Sequence, residues 1–409
     1  MRTLVSFAAL FLSITFVQLG SGSLGPLDAL AGAAAGFTTG QIGLLGSAHF
    51  AGFFIGCWLT PILLGTVGHA RAFSAMAAIG AIAALMHPVI RDPVAWAVLR
   101  VGTGCAVAGA YTIVEAWLQA KVTNESRGRV VSVYRVVDMT ASVAAQGLVA
   151  LVDPASYVAY NIIAAFCCLC LIPLTLTRAV APVSEGVLRL RPLRTLLVSP
   201  LAAISVIIVG MTNSGFRMVG PVYALKNGLN AAEVAGFMAA GVAGGALAQW
   251  PMGWISDRFD RRTVLIVVSA MAGFVCIGIA SGVGAAGHGA IYASSFLFGA
   301  AAFPLYSIAV AHANDHAAPG EIVELNAGLM FFYAVGAIVS PLTAAELIEV
   351  YGPNALFVYV AAAHIVLIGF GLWRMTRRAA PSGRTRHRYM PRTSFTLARL
   401  FRQNRSTGD

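Results

Sequence analysis

The chain alternates between long apolar runs and short breaks that are polar or rich in Gly and Pro. Each run is long enough for a helix that crosses a bilayer, which needs about 20 residues. Because a soluble core has no use for so many long apolar stretches, the pattern predicts an all-α membrane protein. We predict twelve transmembrane helices, at residues 3–27, 41–64, 72–90, 94–118, 129–151, 156–177, 199–222, 232–255, 263–282, 289–312, 322–345 and 353–374.

Composition supports this interpretation. Hydrophobic residues make up 58% of the chain and charged residues only 11%, whereas a soluble domain carries about 25% charged residues. All six cysteines lie inside apolar runs, without the spacing of a metal site or a disulfide framework, so we expect neither. The net charge of +11 comes from helix ends and the C-terminal tail, which is a membrane-topology pattern, and we expect no nucleic-acid partner.

The basic residues also predict the orientation. An even number of spans places both termini on one side of the membrane, and most of the 27 Lys and Arg residues lie on that side. The loops of the opposite side hold only Arg91 and Lys226. By the positive-inside rule we expect both termini in the cytoplasm of a bacterial inner-membrane protein. The first span could instead be a cleaved signal peptide, but the repeat described next requires it to remain.

A short segment recurs in the two halves of the chain. Gly25-Pro26 near the end of the first span corresponds to Gly220-Pro221 near the end of the seventh, and Pro61 in the second corresponds to Pro251 in the eighth. The repeat predicts two six-helix bundles around a central cavity. We place the bundles at residues 1–178 and 199–375, a cytoplasmic linker at 179–198 and a basic cytoplasmic tail at 376–409, which could contact membrane lipid.

The loop between the eighth and ninth spans carries the strongest motif. Its sequence from Gly253 to Arg262 resembles the G-x-x-x-D-R-x-G-R-R signature of the major facilitator superfamily (MFS), with Asp260 in place of the inner glycine. The copy in the first half, residues 61–71, lacks the acid but keeps His69 and Arg71. Weaker similarities to the superfamily's R-x-x-G motif and to its YcaD-type bacterial branch lie at residues 100–104, 115–118, 127–130 and 311–315.

This resemblance covers residues 1 to about 375 and implies the MFS fold in a monomeric secondary transporter of a small molecule. The sequence has no G-x-x-x-x-G-K-[ST], H-E-x-x-H or G-x-S-x-G motif, so we expect no cofactor, no enzymatic activity and coupling to protons rather than to ATP. The substrate is not implied. The alternative is a transporter-like sensor or accessory protein that binds a ligand without moving it, and the intact signature loop favours the transporter.

Charges inside predicted spans are costly and therefore mark candidate sites. Arg100 either faces the cavity, where it would bind an anionic group or tune a proton carrier, or donates to neighbouring carbonyls. Glu115, Arg135 and Asp138 are expected at similar depth, with Arg135 and Asp138 neighbours on one helix. We predict Asp138 as the first candidate for the coupling proton and Glu115 as the second. The alternative is a permanent ion pair that fixes helix packing.

Charges at helix ends suggest contacts that change during transport. Asp28 and Arg217 are expected at the outer ends of the first and seventh spans, where they form an outer gate or are simply exposed. The resemblance also implies two cytoplasmic latches, whose alternative is that the basic residues only set topology. The candidate latch residues are Gly253, Asp257, Arg258, Arg261 and Arg262 against Arg127 of the fifth span, and His69 and Arg71 against Glu321 and Glu324 of the eleventh.

The topology is testable with reporter fusions. We expect a fluorescent protein fused after Thr195 or at the C-terminus to fluoresce, and alkaline phosphatase fused at the same places to be inactive, because both positions face the cytoplasm. A fusion after Arg91 is the control and should behave in the opposite way. Phosphatase activity at either of the first two positions would contradict the arrangement in two halves.

Overall fold

The computed structural model describes residues 7–122, 127–154, 156–176, 191–282, 287–317 and 321–377, and the regular structure within these ranges is helical. The first six long helices are α1 (Ala8–Ala34), α2 (Thr39–Val67), α3 (His69–Met86), α4 (Pro93–Lys121), α5 (Arg127–Leu151) and α6 (Tyr157–Leu169, continued after Cys170 by Leu171–Thr175). A short linker helix (Pro192–Val198) follows. The other six are α7 (Pro200–Lys226), α8 (Ala231–Arg258), α9 (Arg261–Ala280), α10 (His288–Ala302, continued by Leu305–Asn314), α11 (Ile322–Tyr351) and α12 (Ala355–Arg377).

These twelve helices correspond one to one with the twelve predicted spans. Among the described residues, eleven helical segments are long and apolar enough to cross a membrane. The remaining helix, α5, is less apolar because it carries Arg135 and Asp138. The charged helix is therefore the one that hydropathy alone identifies least well.

Polar residues at the helix starts explain several boundaries. Asp92 caps α4 by accepting a hydrogen bond from the Ala95 N–H at 2.8 Å. Asn230 and Glu233 form a capping box at the start of α8. Such side chains satisfy backbone N–H groups that have no acceptor within the helix.

Helix contacts divide the described chain into two compact units. The first contains the described residues up to Ala35 and those of 48–176, and the second contains Gly36–Ser47 and the described residues from 191 onward. The start of α2 therefore groups with the second unit, whereas we had expected all of this helix in the first. The linker helix packs on α11 through Thr195. A Cβ atom on Gly328 would lie only 1.9 Å from the Thr195 hydroxyl oxygen.

The two units use corresponding helix pairs. In the first, α1 packs on α5 and α3 on α6, and in the second α7 packs on α11 and α9 on α12. Glycines bring α2 against α4 and α8 against α10: a Cβ atom on Gly52 would lie 2.0 Å from the Val101 carbonyl oxygen, and one on Gly299 would lie 1.8 Å from the Gly241 carbonyl oxygen. Small residues permit this backbone contact, on which helix association in lipid depends. The shared pairing agrees with the sequence repeat.

Helices α1 and α7 run past the Gly-Pro elements at which the predicted spans ended. Pro26 and Pro221 lie inside these helices, which neighbouring helices tolerate in a membrane protein. The prediction that Asp28 and Arg217 lie at helix ends is therefore wrong. Asp28 lies within α1 and is only 2% exposed, and Arg217 is half-buried within α7.

The contribution of the glycine contacts to stability can be measured with two substitutions in α2. We expect Gly52→Ala to lower stability in detergent by about 1–3 kcal/mol, because the added methyl group would overlap the Val101 carbonyl. Gly65 is the matched control, since a Cβ atom there would meet no described residue outside its own helix within 4 Å. Gly65→Ala should be neutral or slightly stabilising. Equal melting temperatures for the two variants would contradict close packing of α2 on α4.

Candidate functional site

Asp28 lies in a closed polar cluster within the first unit. Its Oδ1 atom accepts a hydrogen bond from the Tyr160 hydroxyl of α6 at 2.9 Å. Its Oδ2 atom lies 3.4 Å from Nε of Arg100 on α4 and 3.5 Å from Nε2 of His87 at the end of α3. All four side chains are buried, and Arg100 is only 1% exposed. The cluster therefore joins four helices by charges that neutralise each other away from solvent.

A hydrogen bond of His87 shows which of its ring nitrogens carries a proton. Nδ1 of His87 lies 2.6 Å from the Ala83 carbonyl oxygen, which can only accept, so Nδ1 carries a proton. If His87 is neutral and Asp28 is ionised, the lone pair of Nε2 faces the carboxylate and the two repel each other. The contact is favourable when either group holds one more proton. The ring is held between Tyr160, stacked at 5.2 Å, and Trp96 at 5.1 Å.

This geometry corrects the expectation for Arg100. Its guanidinium pairs with Asp28 inside the unit and is not open to an anionic ligand. Asp28 is a buried partner of Arg100 rather than an exposed charge, and its proposed gate contact with Arg217 stays a prediction.

A second polar cluster lies near the middle of α1, α4 and α5. The Tyr111 hydroxyl lies between Oδ1 of Asp138, at 2.7 Å, and Oε1 of Gln18. Nη1 of Arg135 lies 3.3 Å from Oδ2 of Asp138, one helical turn away. The side chains of Arg135 and Asp138 are 14% and 17% exposed, so the carboxylate is shielded but not sealed from solvent.

Glu115 joins this second cluster from α4, one helical turn after Tyr111. It accepts a hydrogen bond from the Tyr134 hydroxyl at 3.2 Å and is 3% exposed. The charge of Arg135 acts on both Asp138 and Glu115. The Arg135 guanidinium therefore lies near both carboxylates.

The MFS-like loop forms a compact set of ion pairs in the second unit. Arg261 is 2% exposed; its Nη2 atom lies 3.0 Å from Oδ1 of Asp257, and Nη1 contacts the Asp315 carboxylate. Asp257 and Arg261 are one turn apart across the α8–α9 boundary, whereas Asp315 follows α10. Arg261 therefore fastens the ends of three helices within this unit.

Asp260, which replaces the inner glycine of the signature, makes structural contacts that a glycine could not make. As the N-cap of α9, it accepts a hydrogen bond from the Arg262 N–H at 3.0 Å and pairs with its guanidinium at 2.8 Å. Partial burial acts to raise the pKa of Asp260, but the hydrogen bonds and charge of Arg262 outweigh burial and lower it. Asp260 therefore remains ionised at neutral pH. Nearby, Arg258 stacks on Trp254 at 3.7 Å, and Gly253 is buried inside α8.

The glutamates at the start of α11 contact the linker. Nε of Arg191 lies 3.2 Å from Oε1 of Glu324, and Arg194 contacts Glu321. The arginines and the glutamates are both spaced by three residues, so the two segments match. These pairs are partly exposed and each contributes about 0–1 kcal/mol. They help to dock the linker helix on α11.

The remaining latch residues differ in environment. His69 is buried with its ring edge-on to Trp117 at 5.8 Å, so it packs inside the first unit and is not the loop contact we expected. Arg71 is exposed. The side chain of Arg127 lies outside the described residues. The latch contacts of Asp257 with the fifth span and of Arg71 with the eleventh stay predictions.

Sequence reasoning missed the neutral members of both clusters. Tyr111 lies four residues before Glu115 in one helix, and this spacing could have identified it. His87 and Tyr160 are distant in sequence from Asp28, and no local pattern joins them. Asp315 lies in a segment that carried the family resemblance, but it was given no role.

The cost of opening the Asp28 cluster is measurable. We expect Arg100→Leu to reduce stability by about 3–5 kcal/mol, because it leaves the Asp28 carboxylate buried without its cation. Adding Asp28→Asn should recover much of this loss. Arg91→Leu, at an exposed position, is the control and should change unfolding in mild detergent little. A double variant no more stable than Arg100→Leu would show that the pair is not coupled.

The comparisons with known proteins agree with this architecture. The family model described as Major Facilitator Superfamily matches residues 10–322 and 202–407. An uncharacterized MFS-type transporter YcaD from Escherichia fergusonii is 26% identical over 340 residues, covering 81% of this chain and 85% of the relative. The YcaD of Salmonella newport is 28% identical over 346 residues, covering 82% and 87%. The resemblance to the YcaD-type branch is thereby confirmed.

Solved structures show the same fold. The nucleoside transporter NupG aligns with a TM-score of 0.73 at 16% identity, covering 93% of this chain and 100% of NupG. A D-xylose-proton symporter aligns with a TM-score of 0.71 at 13% identity, covering 94% and 99%. Together with the twelve helices and the signature loop, these matches show that the chain belongs to the major facilitator superfamily and is a multi-pass inner-membrane transporter.

Proposed function

We propose that this protein moves a small solute by alternating access and that proton binding at Asp138 drives the movement. The observation that carries the proposal is the placement of Asp138, whose carboxylate accepts a hydrogen bond from Tyr111 at 2.7 Å and pairs with Arg135 at 3.3 Å while its side chain stays 17% exposed. The site lies deep in the bundle. Asp138 is eleven residues into α5, or about 17 Å along a helix, near the middle of a hydrocarbon core about 30 Å thick.

Asp138 is the better carrier of the two acids. A coupling group must exchange its proton with water in at least one state, and the Asp138 side chain is 17% exposed whereas Glu115 is 3% exposed. Glu115 instead contributes a second negative charge.

Protonation would change the contacts between helices. An ionised Asp138 accepts hydrogen bonds from Tyr111 and Arg135. A protonated Asp138 holds Arg135 less strongly and can itself donate. The Tyr111 hydroxyl can then turn its proton to Gln18 on α1. Loss of one charge at α5 thus alters the connection between α1, α4 and α5, which links proton binding to helix movement.

The solute itself is a small molecule with no required negative charge, because Arg100 is occupied by Asp28. The structural neighbours include a transporter of nucleosides and a proton symporter of D-xylose. The fold therefore accommodates solutes of the size of a nucleoside or a sugar, and it accommodates proton coupling. We further propose that the protein acts as a monomer with both termini in the cytoplasm.

The test begins with a ligand. A thermal-shift screen of the purified protein against metabolites and drugs would supply a solute, whose uptake is then measured in proteoliposomes with and without a proton gradient. We expect Asp138→Asn to abolish gradient-driven accumulation and leave counterflow exchange largely intact, since exchange needs no net proton movement. Glu349→Gln, an exposed acid paired with Lys226 at 3.2 Å, is the control and should transport normally.

Three other outcomes would contradict the proposal. Equal loss of accumulation and exchange, with poor folding, would identify the Arg135–Asp138 pair as structural. Accumulation that survives in Asp138→Asn and is lost in Glu115→Gln would assign the proton to Glu115. A solute that binds but never accumulates in the wild type would identify a sensor rather than a transporter.

A further inference from the structure

A small recess lies in the second unit, at the end of the bundle where the linker enters α7. Its cavity volume is about 20 Å³, and the space that includes its open mouth is about 290 Å³. Four helices contribute to its wall. The lining residues are Ser199, Pro200 and Leu201 at the start of α7, Arg262 of α9, His312 and His316 at the end of α10, and Arg374 in the last turn of α12.

Ser199 is buried in this recess, but the contacts of the described residues give no reason for a serine there. It is the N-cap of α7, yet its side chain makes no capping hydrogen bond, although capping is the usual reason for serine at this position. It is 2% exposed, and its hydroxyl oxygen has no hydrogen-bond partner among the described residues. A buried hydroxyl without a partner costs about 1–3 kcal/mol, so a missing partner is indicated.

The start of α7 supplies further donors. Pro200 has no N–H group, and the Ala203 N–H is bonded to the Ser199 carbonyl at 3.1 Å. The intervening N–H groups of Leu201 and Ala202 belong to the first helical turn and have no acceptor within the helix. The positive end of a 27-residue helix therefore points its first donors toward the region of this recess.

The charge of the recess is positive. Arg262 is held by Asp260, but no carboxylate of the described residues lies within 4.0 Å of the Arg374 guanidinium. His316 directs Nδ1 to the His312 carbonyl oxygen at 3.0 Å, which leaves its Nε2 atom for another partner. The two imidazole rings lie 4.8 Å apart. The lining therefore contains two guanidiniums and two imidazoles, and Asp260 pairs with one of the guanidiniums.

We propose that this recess binds a phosphate group. Phosphate oxygens suit a helix N-terminus, a hydroxyl and a guanidinium at the same time, and here these donors converge from different helices. The group could belong to the headgroup of an anionic phospholipid or to a soluble phosphate. In either case it would fasten the ends of α7, α9, α10 and α12. The site does not depend on the proposed proton coupling.

The test uses the full chain, purified in detergent and depleted of lipid. Native mass spectrometry would measure retention of phosphatidylglycerol against phosphatidylcholine, and thermal shift would measure binding of inorganic phosphate against chloride at equal ionic strength. We expect wild-type protein to bind at least one of the two phosphate probes selectively. Arg374→Gln should bind it about tenfold more weakly, because a charge-assisted hydrogen bond is lost.

The control is Arg377→Gln, an exposed arginine one turn farther along α12, which should bind as the wild type does. Ser199→Ala should also weaken binding, and it gives the answer should Arg374→Gln fold poorly, since Ser199 makes no cap to lose. Selective retention of phosphatidylglycerol would identify a lipid headgroup, and a shift with inorganic phosphate alone would identify a soluble ligand. Failure of both probes, or equal weakening in Arg374→Gln and Arg377→Gln, would overturn the proposal.

Discussion

The desolvation of charge is the constraint on which this structure depends. An ionised side chain inside an apolar bundle is tolerated only with a partner, and the chain meets this requirement inside each unit: Asp28 with Arg100, Asp138 with Arg135, and Arg261 with Asp257 and Asp315. Each pair joins or braces particular helices, because the partners must stay within a few ångströms. The positions of the charges therefore determine which helices are held together.

The two units share their helix pairing but not their polar chemistry. The Gly-Pro repeat makes Tyr223 of α7 the counterpart of Asp28 of α1. Asp28 accepts a hydrogen bond from Tyr160 of α6 at 2.9 Å, whereas Tyr223 packs edge-on against Phe357 of α12 at 4.8 Å. The contact between corresponding helices is thus polar in the first unit and aromatic in the second. The first unit therefore places a carboxylate at the position where the second places a tyrosine ring.

The sequence predicted the frame well because bilayer thickness imposes a length and an apolar composition on every span. It was less reliable for a residue type that has different structural roles in soluble and membrane proteins. Proline ends soluble helices but sits inside α1 and α7 here, so Asp28 was placed at a helix end. The partners of Asp28, by contrast, come from three other helices, and no local spacing could have joined His87 and Tyr160 to it. Periodicity along one helix identifies pairs such as Arg135 and Asp138, whereas contacts between helices require the packing itself.

The same physical reasoning distinguishes the environment of Asp28 from that of Asp138. Asp28 has three polar partners from three helices, is almost fully buried, and is enclosed by the rings of His87 and Tyr160. Moving it would break all of these contacts at once, so it stabilises one arrangement of α1, α3, α4 and α6. Asp138 has a cation on its own helix. Its contact with α4 is the Tyr111 hydroxyl, which has Gln18 as a second acceptor. A change at Asp138 would therefore exchange one hydrogen bond for another rather than dismantle a cluster, and this low cost is what the proposed proton carrier requires.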